Sequence, residues 1–240
     1  MTNKKIFGHK IVKSLFSPEE ISEINHQLDE ILNIENRKDF IWKFHEPDQR
    51  INRIEYFVNY NDFFKDLSEN KRVLKSITDL ISEEVVLFKD KINFKYPDSQ
   101  GFEPHQDITA GWGRYTDYHI SVAIPLTNTN KENGAIEFGK PLFKMINDYH
   151  EDINIELDYE LVETQVGDVI LFDSYVPHRS GLNYSKQSRP IVFFTYTLKR
   201  YGSFYELYHQ DKFENVPPDI YKVKGQKYRS GNTNNPTIFE

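Results

Sequence analysis

The chain has 240 residues, a formal net charge of −7 and 38% apolar residues, with 18 Phe and 15 Tyr. That length suits one domain with extensions, and the acidic balance argues against a nucleic-acid binder driven by phosphate contacts. Cysteine is absent, which removes disulfides, thiolate nucleophiles and zinc–thiolate sites together and fits a reducing compartment.

In chain order, residues 1–10 lack the apolar run of a signal peptide, and no later stretch approaches the roughly 20 apolar residues that span a bilayer. The expectation is a cytoplasmic protein with no membrane partner. Residues 6–16 alternate enough for a short leading strand. Ser17-Pro18-Glu19-Glu20 then announces a helix, with Ser17 as cap, Pro18 at the first helical position and Glu20 closing a capping box. Ile21, Ile24, Leu28, Ile31 and Leu32 follow at helical spacing, so 18–33 is read as an amphipathic helix. Residues 34–60 are mixed and aromatic and give no clear element. A second helix is expected over about 61–81.

The pattern then changes. Residues 84–96 read as a long strand stopped by Pro97-Asp98, and 118–126 as another. Asn133-Gly134 is a hairpin turn signal leading into 135–138. Residues 139–160 form a polar excursion. Strands follow at 161–165, 169–173, 176–182 and 190–199, separated by Gly, Asn and Pro turns. Several short strands without a βαβ alternation indicate an all-β sandwich or jelly roll. The organisation expected is one domain over 1–240. It divides into a helical N-terminal part to about 83, a β core over about 84–200 and an extension over 201–240, whose last ~15 residues are loosely held.

The chemistry centres on His105-Gln106-Asp107. On an extended chain, side chains two residues apart point the same way, so this imidazole and carboxylate can grip one ion. Two ligands hold a metal weakly. The third candidate is His178, in Asp173-Ser-Tyr-Val-Pro-His178-Arg-Ser-Gly181. Two histidines and one carboxylate with the opposite positions open make the facial triad of non-haem Fe(II) oxygenases. A His-x-Asp pair alone is common and usually sits on a surface. Here the context adds weight. His178 follows a Gly167-Asp168 turn and an apolar strand, Ser180 lies two residues on along the same face, and Arg189 opens the next strand. A guanidinium holds a carboxylate in a bidentate fork, so the sequence offers a metal and a dicarboxylate anchor together. His9, His26, His45, His119, His150 and His209 have no partner spacing of this kind and read as structural or exposed.

These residues resemble the phytanoyl-CoA dioxygenase-like Fe(II)/2-oxoglutarate oxygenases. The matching stretches are Lys91-Ile-Asn-Phe-Lys-Tyr-Pro97, Gly101-Phe-Glu-Pro-His-Gln-Asp107, Asn133-Gly134, Gly167-Asp168, and His178-Arg-Ser180 through Arg189. The resemblance covers about 85–200. It implies a double-stranded β-helix (jelly roll) with flanking N-terminal helices. It implies Fe(II) held by His105, Asp107 and His178, with O2 and 2-oxoglutarate as cosubstrates. Arg189 and Ser180 would bind the distal carboxylate of 2-oxoglutarate, with Asn93, Lys91 and Phe102 near it. Because Asp107 is a carboxylate, where related halogenases have Gly or Ala, the resemblance implies hydroxylation or another oxidation. Succinate and CO2 would be the co-products.

The segment 110–118 follows the metal pair directly. Trp112, Arg114, Tyr115 and Tyr118 are therefore candidate substrate contacts, and Arg114 suits a small anionic or zwitterionic molecule. Arg179 should point away from His178 on a strand. The stretches around Lys91–Asp107 and Ala110-Gly-Trp are similar to a subgroup that includes 2-aminoethylphosphonate dioxygenases and also enzymes of amino acids and natural-product intermediates. Three readings stay open: hydroxylation of a small soluble metabolite, a tailoring desaturation or cyclisation, or a non-catalytic jelly-roll binding module. The sequence does not speak to oligomeric state.

Overall fold

Ser17 opens helix α1 (Pro18–Asn33) by accepting a hydrogen bond from the Glu20 amide, while the Glu20 carboxylate accepts from the Ser17 amide. Two donors that a helix start leaves open are thereby satisfied. Ile21, Ile24, Leu28 and Ile31 form its buried stripe. The single helix expected over 61–81 is instead two, α2 (Asp62–Ser68) and α3 (Lys71–Ile81). Asn70 causes the break, because its side chain accepts from the Arg72 and Val73 amides. A short amide side chain gains more as a cap than inside a helix.

The computed structural model describes residues 7–34, 41–140, 142, 157–229 and 236–238. Most of the polar excursion expected at 139–160 lies outside them. The strands are β1 (His9–Val12), β2 (Trp42–His45), β3 (Ile51–Glu55), β4 (Val85–Lys95), β5 (Phe102–His105), β6 (His119–Pro125), β7 (Ile136–Phe138), β8 (Glu160–Leu161), β9 (Val169–Asp173), β10 (His178–Ser180) and β11 (Arg189–Leu198). They form two antiparallel sheets, one in the order β1-β9-β6-β11-β4-β3-β2 and the other β5-β10-β7-β8. This is the expected jelly roll. Two expectations need correction. The stretch left unassigned at 34–60 supplies β2 and β3, which extend the large sheet beyond β4. The Asn133-Gly134 turn does not close a hairpin, because β6 and β7 lie in different sheets and the turn carries the chain across.

The two faces of the large sheet do different work. On β6, Ile120, Val122 and Ile124 join Val192, Phe194 and Tyr196 of β11 in an apolar cluster with α1, α2 and α3. The alternate residues face the small sheet, where Ala123, Ile170, Phe172 and Ile191 pack against Ile136 and Phe138. Strand period two thus separates a helix-backed face from an inner face. On β4 the same alternation sends Ile92 into the helix-side cluster and Lys89, Lys91, Asn93 and Lys95 toward the interior. After β11, helix α4 (Tyr205–Asn215) returns over the open end and buries Tyr205, Tyr208 and His209. Beyond it, Lys227–Arg229 pairs with Pro236–Ile238 as a small ribbon, within the stretch expected to be loosely held.

Candidate active site

Strands β5 and β10 bring the sequence-distant histidines together. His178 is directly opposite His105 in the ladder, and their ring centroids are 4.2 Å apart. The chain stays extended through Gln106 (φ −112°, ψ 134°), so Asp107 falls on the side of His105. Gln106 faces the other way, buried, and donates to the Tyr175 carbonyl at 2.6 Å. One ligand atom from each of His105, Asp107 and His178 lies within 4.8 Å of the others. His178 Nε2 and Asp107 Oδ1 stand 4.0 Å apart, beyond hydrogen-bonding range.

The donor set suits a divalent ion. Nδ1 of His105 is 2.7 Å from the Glu103 carbonyl, and Nδ1 of His178 is 3.1 Å from the Val176 carbonyl. A carbonyl only accepts, so each Nδ1 carries the proton and each Nε2 presents a lone pair. Burial, with His105 alongside, pushes the His178 pKa down to about 4 despite the opposing pull of Asp107. The imidazole is thus neutral at physiological pH. Burial resists ionisation of Asp107, but its neighbours, His178 first and Lys91 next, hold the carboxyl below its ordinary range. Ser121 donates to Asp107 Oδ2 at 3.2 Å.

The three residues line a cavity of about 400 Å³ between the sheets. Arg189 lines it at the start of β11, buried, with its pKa lowered to about 10 by that burial. Arg189 Nε donates to the Asn133 carbonyl at 3.1 Å. The turn behind it needs glycine: Gly134 has φ 69°, and a Cβ there would sit 2.6 Å from the Gly181 carbonyl oxygen. Ser180 is next to Arg189 through a residue the sequence reading passed over. Lys95, the Cα partner of Arg189, donates to Ser180 Oγ at 2.7 Å and to the Gly181 carbonyl. Burial, and then the charge of Arg189, lower the Lys95 pKa to about 7. Its signal was present in the sequence, as the next inward position after Lys91 and Asn93 on one strand.

The other expected residues divide. Asn93 and Lys91 line the cavity, and the buried Asn93 Oδ1 has no hydrogen-bond partner among the described residues. Burial, with Lys89 adding to it, lowers the Lys91 pKa to about 8. Phe102 lies at the rim, 51% exposed, its ring 5.6 Å from Lys95 Nζ. Trp112, Arg114 and Tyr115 line the cavity. Tyr118 does not. It is buried in the helix-side cluster with Ile120 and Val122, because the β6 alternation turns even-numbered positions away from the interior. Arg179 points outward to Glu137, at 2.8 Å, as strand alternation requires. Sequence reasoning also missed Lys89, Arg53, Tyr208 and Lys212, all of which line the cavity.

Residues 7–191 match the family model for phytanoyl-CoA dioxygenase (PhyH). The chain is 34% identical over 192 residues to a 2-aminoethylphosphonate dioxygenase of an uncultured bacterium (HF130_AEPn_1), covering 74% of this chain and 71% of that one. It is 32% identical over 167 residues to a methylphosphonate hydroxylase of Gimesia maris, covering 67% of this chain and 64% of the relative. Among solved structures, EctD from S. alaskensis with 2-oxoglutarate and 5-hydroxyectoine superposes with a TM-score of 0.70 at 18% identity, over 80% of this chain and 73% of that one. The epimerase SnoN in complex with Fe3+, alpha ketoglutarate and nogalamycin RO gives 0.63 at 15% identity, over 79% and 78%. At such identities these two speak for the shared fold.

Proposed function

Since the chain belongs to the phytanoyl-CoA dioxygenase family, and is an Fe(II)- and 2-oxoglutarate-dependent oxygenase, we propose that it hydroxylates a small organophosphonate. The observation that carries this is the convergence of His105, Asp107 and His178 in a cavity lined by more cations than acids. The two relatives named above, one a 2-aminoethylphosphonate dioxygenase and the other a methylphosphonate hydroxylase, support the substrate class.

In this reading His105, Asp107 and His178 hold Fe(II). The metal and 2-oxoglutarate supply the oxidising chemistry: one oxygen of O2 ends in succinate as CO2 leaves, and the other in the hydroxyl of the product. The protein's own residues bind and orient. Arg189, Ser180 and Lys95 take the distal carboxylate of 2-oxoglutarate, the guanidinium by a two-point fork. Asn93 lines the cavity beside them. Trp112, Tyr115 and Tyr208 give the substrate an aromatic wall and exclude water. We read the whole chain as one oxygenase domain, because the N-terminal part (Arg53), the β core and the C-terminal extension (Lys212) all line the same cavity.

The test is succinate release from 2-oxoglutarate in the presence of Fe(II) and O2, driven by 2-aminoethylphosphonate or methylphosphonate. A product heavier by one oxygen supports hydroxylation. A product lighter by two hydrogens would favour desaturation or ring closure. No succinate with any phosphonate would defeat the substrate assignment.

A further inference from the structure

At the end of the cavity away from Arg189, three cations crowd one carboxylate. Glu55 of β3 is fully buried. Arg53 Nε lies 3.1 Å from Glu55 Oε1, Lys89 Nζ lies 3.7 Å from the same oxygen, and Lys212 of α4 bonds to Oε2. Burial resists ionisation of Glu55, and the Lys212, Lys89 and Arg53 charges overcome it and hold the carboxyl well below its ordinary range. Glu55 itself does not line the cavity, whereas Arg53, Lys89 and Lys212 all do. The acid is sealed behind and the cations stand in front.

The cluster formally carries two positive charges more than it neutralises. Buried charge without a partner is costly. Burial resists the charge on Lys89 and Lys212, and Glu55 favours it. The neighbouring Trp112 Nε1 is buried and finds no acceptor among the described residues, and Lys89 Nζ lies 5.5 Å from its ring. An unpartnered donor and surplus cations ask for the same thing, an anion with several acceptor oxygens.

The strand fixes where this anion sits. Lys89, Lys91, Asn93 and Lys95 alternate along the inner face of β4. Six residues at a strand rise of about 3.3 Å separate Lys89 and Lys95 by roughly 20 Å. Lys95 belongs to the Arg189–Ser180 end. Lys91 lies between and interacts with Asp107. The two cationic ends therefore flank the metal triad.

We propose that Arg53, Lys89 and Lys212, backed by Glu55, form a second anion subsite that holds the doubly charged tetrahedral head group of the primary substrate on the far side of the metal triad from the 2-oxoglutarate anchor. This rests on the reading of the cavity as a phosphonate oxygenase site. Helix α4 becomes a specificity element, because it carries Lys212 and Tyr208 into the cavity wall.

The test is equilibrium binding to the Fe(II)- and 2-oxoglutarate-loaded protein without O2. Methylphosphonate at mildly alkaline pH is the dianionic probe, and methanesulfonate has the same shape with one charge. Wild-type protein should bind methylphosphonate at least about tenfold tighter than methanesulfonate. Lys212→Gln and Lys89→Gln should each weaken methylphosphonate by about tenfold or more while leaving 2-oxoglutarate affinity within about twofold. Glu55→Gln removes the competing carboxylate and should tighten methylphosphonate, a direction that a purely structural role would not give. Equal or undetectable binding of the two probes by wild-type protein overturns the proposal, and that comparison stands even if a variant fails to fold. Equal weakening of both ligands in folded variants also overturns it. Lys212-dependent binding without turnover would remove the hydroxylation reading and leave the subsite. Turnover of a phosphonate whose binding ignores Lys212 would remove the subsite alone.

Discussion

His178 and His105 are register partners in the β5–β10 ladder, while Asp107 Oδ1 lies 4.0 Å from His178 Nε2. The two imidazoles are thus held together by backbone pairing before any ion arrives. In the proposed site, replacing His178 would remove one of the three candidate protein ligands found among the described residues. His178→Ala is expected to lower iron-dependent succinate formation by at least about 100-fold, more than loss of a supporting contact usually costs. Iron content after anaerobic loading should fall in parallel. A variant that keeps both stoichiometric iron and turnover would show that the ion sits elsewhere.

Arg189 is buried, and its hydrogen bond to protein runs from Nε to the Asn133 carbonyl. Among the described residues the other guanidinium N–H groups have no hydrogen-bond partner, which leaves them open to a carboxylate. Charged hydrogen bonds contribute roughly 1.5–3 kcal/mol each. Arg189→Met should therefore raise the KM for 2-oxoglutarate by about 10- to 100-fold, with a smaller change in the rate at saturating cosubstrate. Fluorescence or calorimetric titration of 2-oxoglutarate checks it directly, and unchanged affinity would defeat the anchor assignment.

Lys95 makes the same anchor sensitive to pH. Its pKa is lowered to about 7 by burial and by Arg189, against about 10.4 in an unfolded chain. Below pH 7 the ammonium is present and attracts the cosubstrate; above it the group becomes a neutral amine. Affinity for 2-oxoglutarate should weaken as pH rises from about 6.5 to 9, and Lys95→Met should flatten that slope. Stability moves the other way. Between about 7 and 10.4 the unfolded chain binds the proton that the folded chain has lost, so the ligand-free protein gains stability as pH rises through this window. Denaturant midpoints of the ligand-free protein and 2-oxoglutarate titrations at pH 6.5 and 9, for wild type and Lys95→Met, would expose both signs.

The clustering of His105, Asp107 and His178 is legible because its signals are local: His-x-Asp on an extended run, and a histidine after an apolar strand. Ser180 and Arg189 followed from strand alternation and position. Lys95 obeys the same alternation as Lys91 and Asn93. Tyr118 is near Asp107 in sequence but shares the parity of Ile120 and Val122, which turns it to the helices. The Glu55–Lys89–Lys212 cluster had no local signal. Glu55 and Lys212 are 157 positions apart, and the strand β3 that places Glu55 lies in a stretch whose alternation is hidden by aromatic residues. Helix α4 was equally hidden, because its buried residues are Tyr and His rather than an aliphatic stripe.

Asp90 ties that helix to the sheet. Its carboxylate accepts from the amides of Tyr56, Phe57 and Val58 at 3.0, 2.7 and 2.9 Å. His209 Nε2 of α4 lies 3.2 Å from it, and both side chains are almost fully buried. Tyr56 has φ 60°, a left-handed conformation that costs energy for any residue with a Cβ. Asp90 holds the chain in it. The same Tyr56 ring packs on His209 at 4.6 Å and on Tyr205 at 5.9 Å. Asp90→Ala would strand three buried amides at once and remove the carboxylate beside His209. The expected loss is about 3–5 kcal/mol of folding stability, the range for breaking a buried charged network. The loss should be uneven. Amide exchange in 205–215 should accelerate well before exchange in β6 or β11, because α4 is held by side-chain contacts, those to Asp90 and Glu55 among them, while the central strands are paired by backbone hydrogen bonds on both sides. Phosphonate binding should fall with it, since Lys212 and Tyr208 leave the cavity wall together. Exchange that rises uniformly across the chain, or a midpoint that does not move, would show that α4 is held by something other than Asp90.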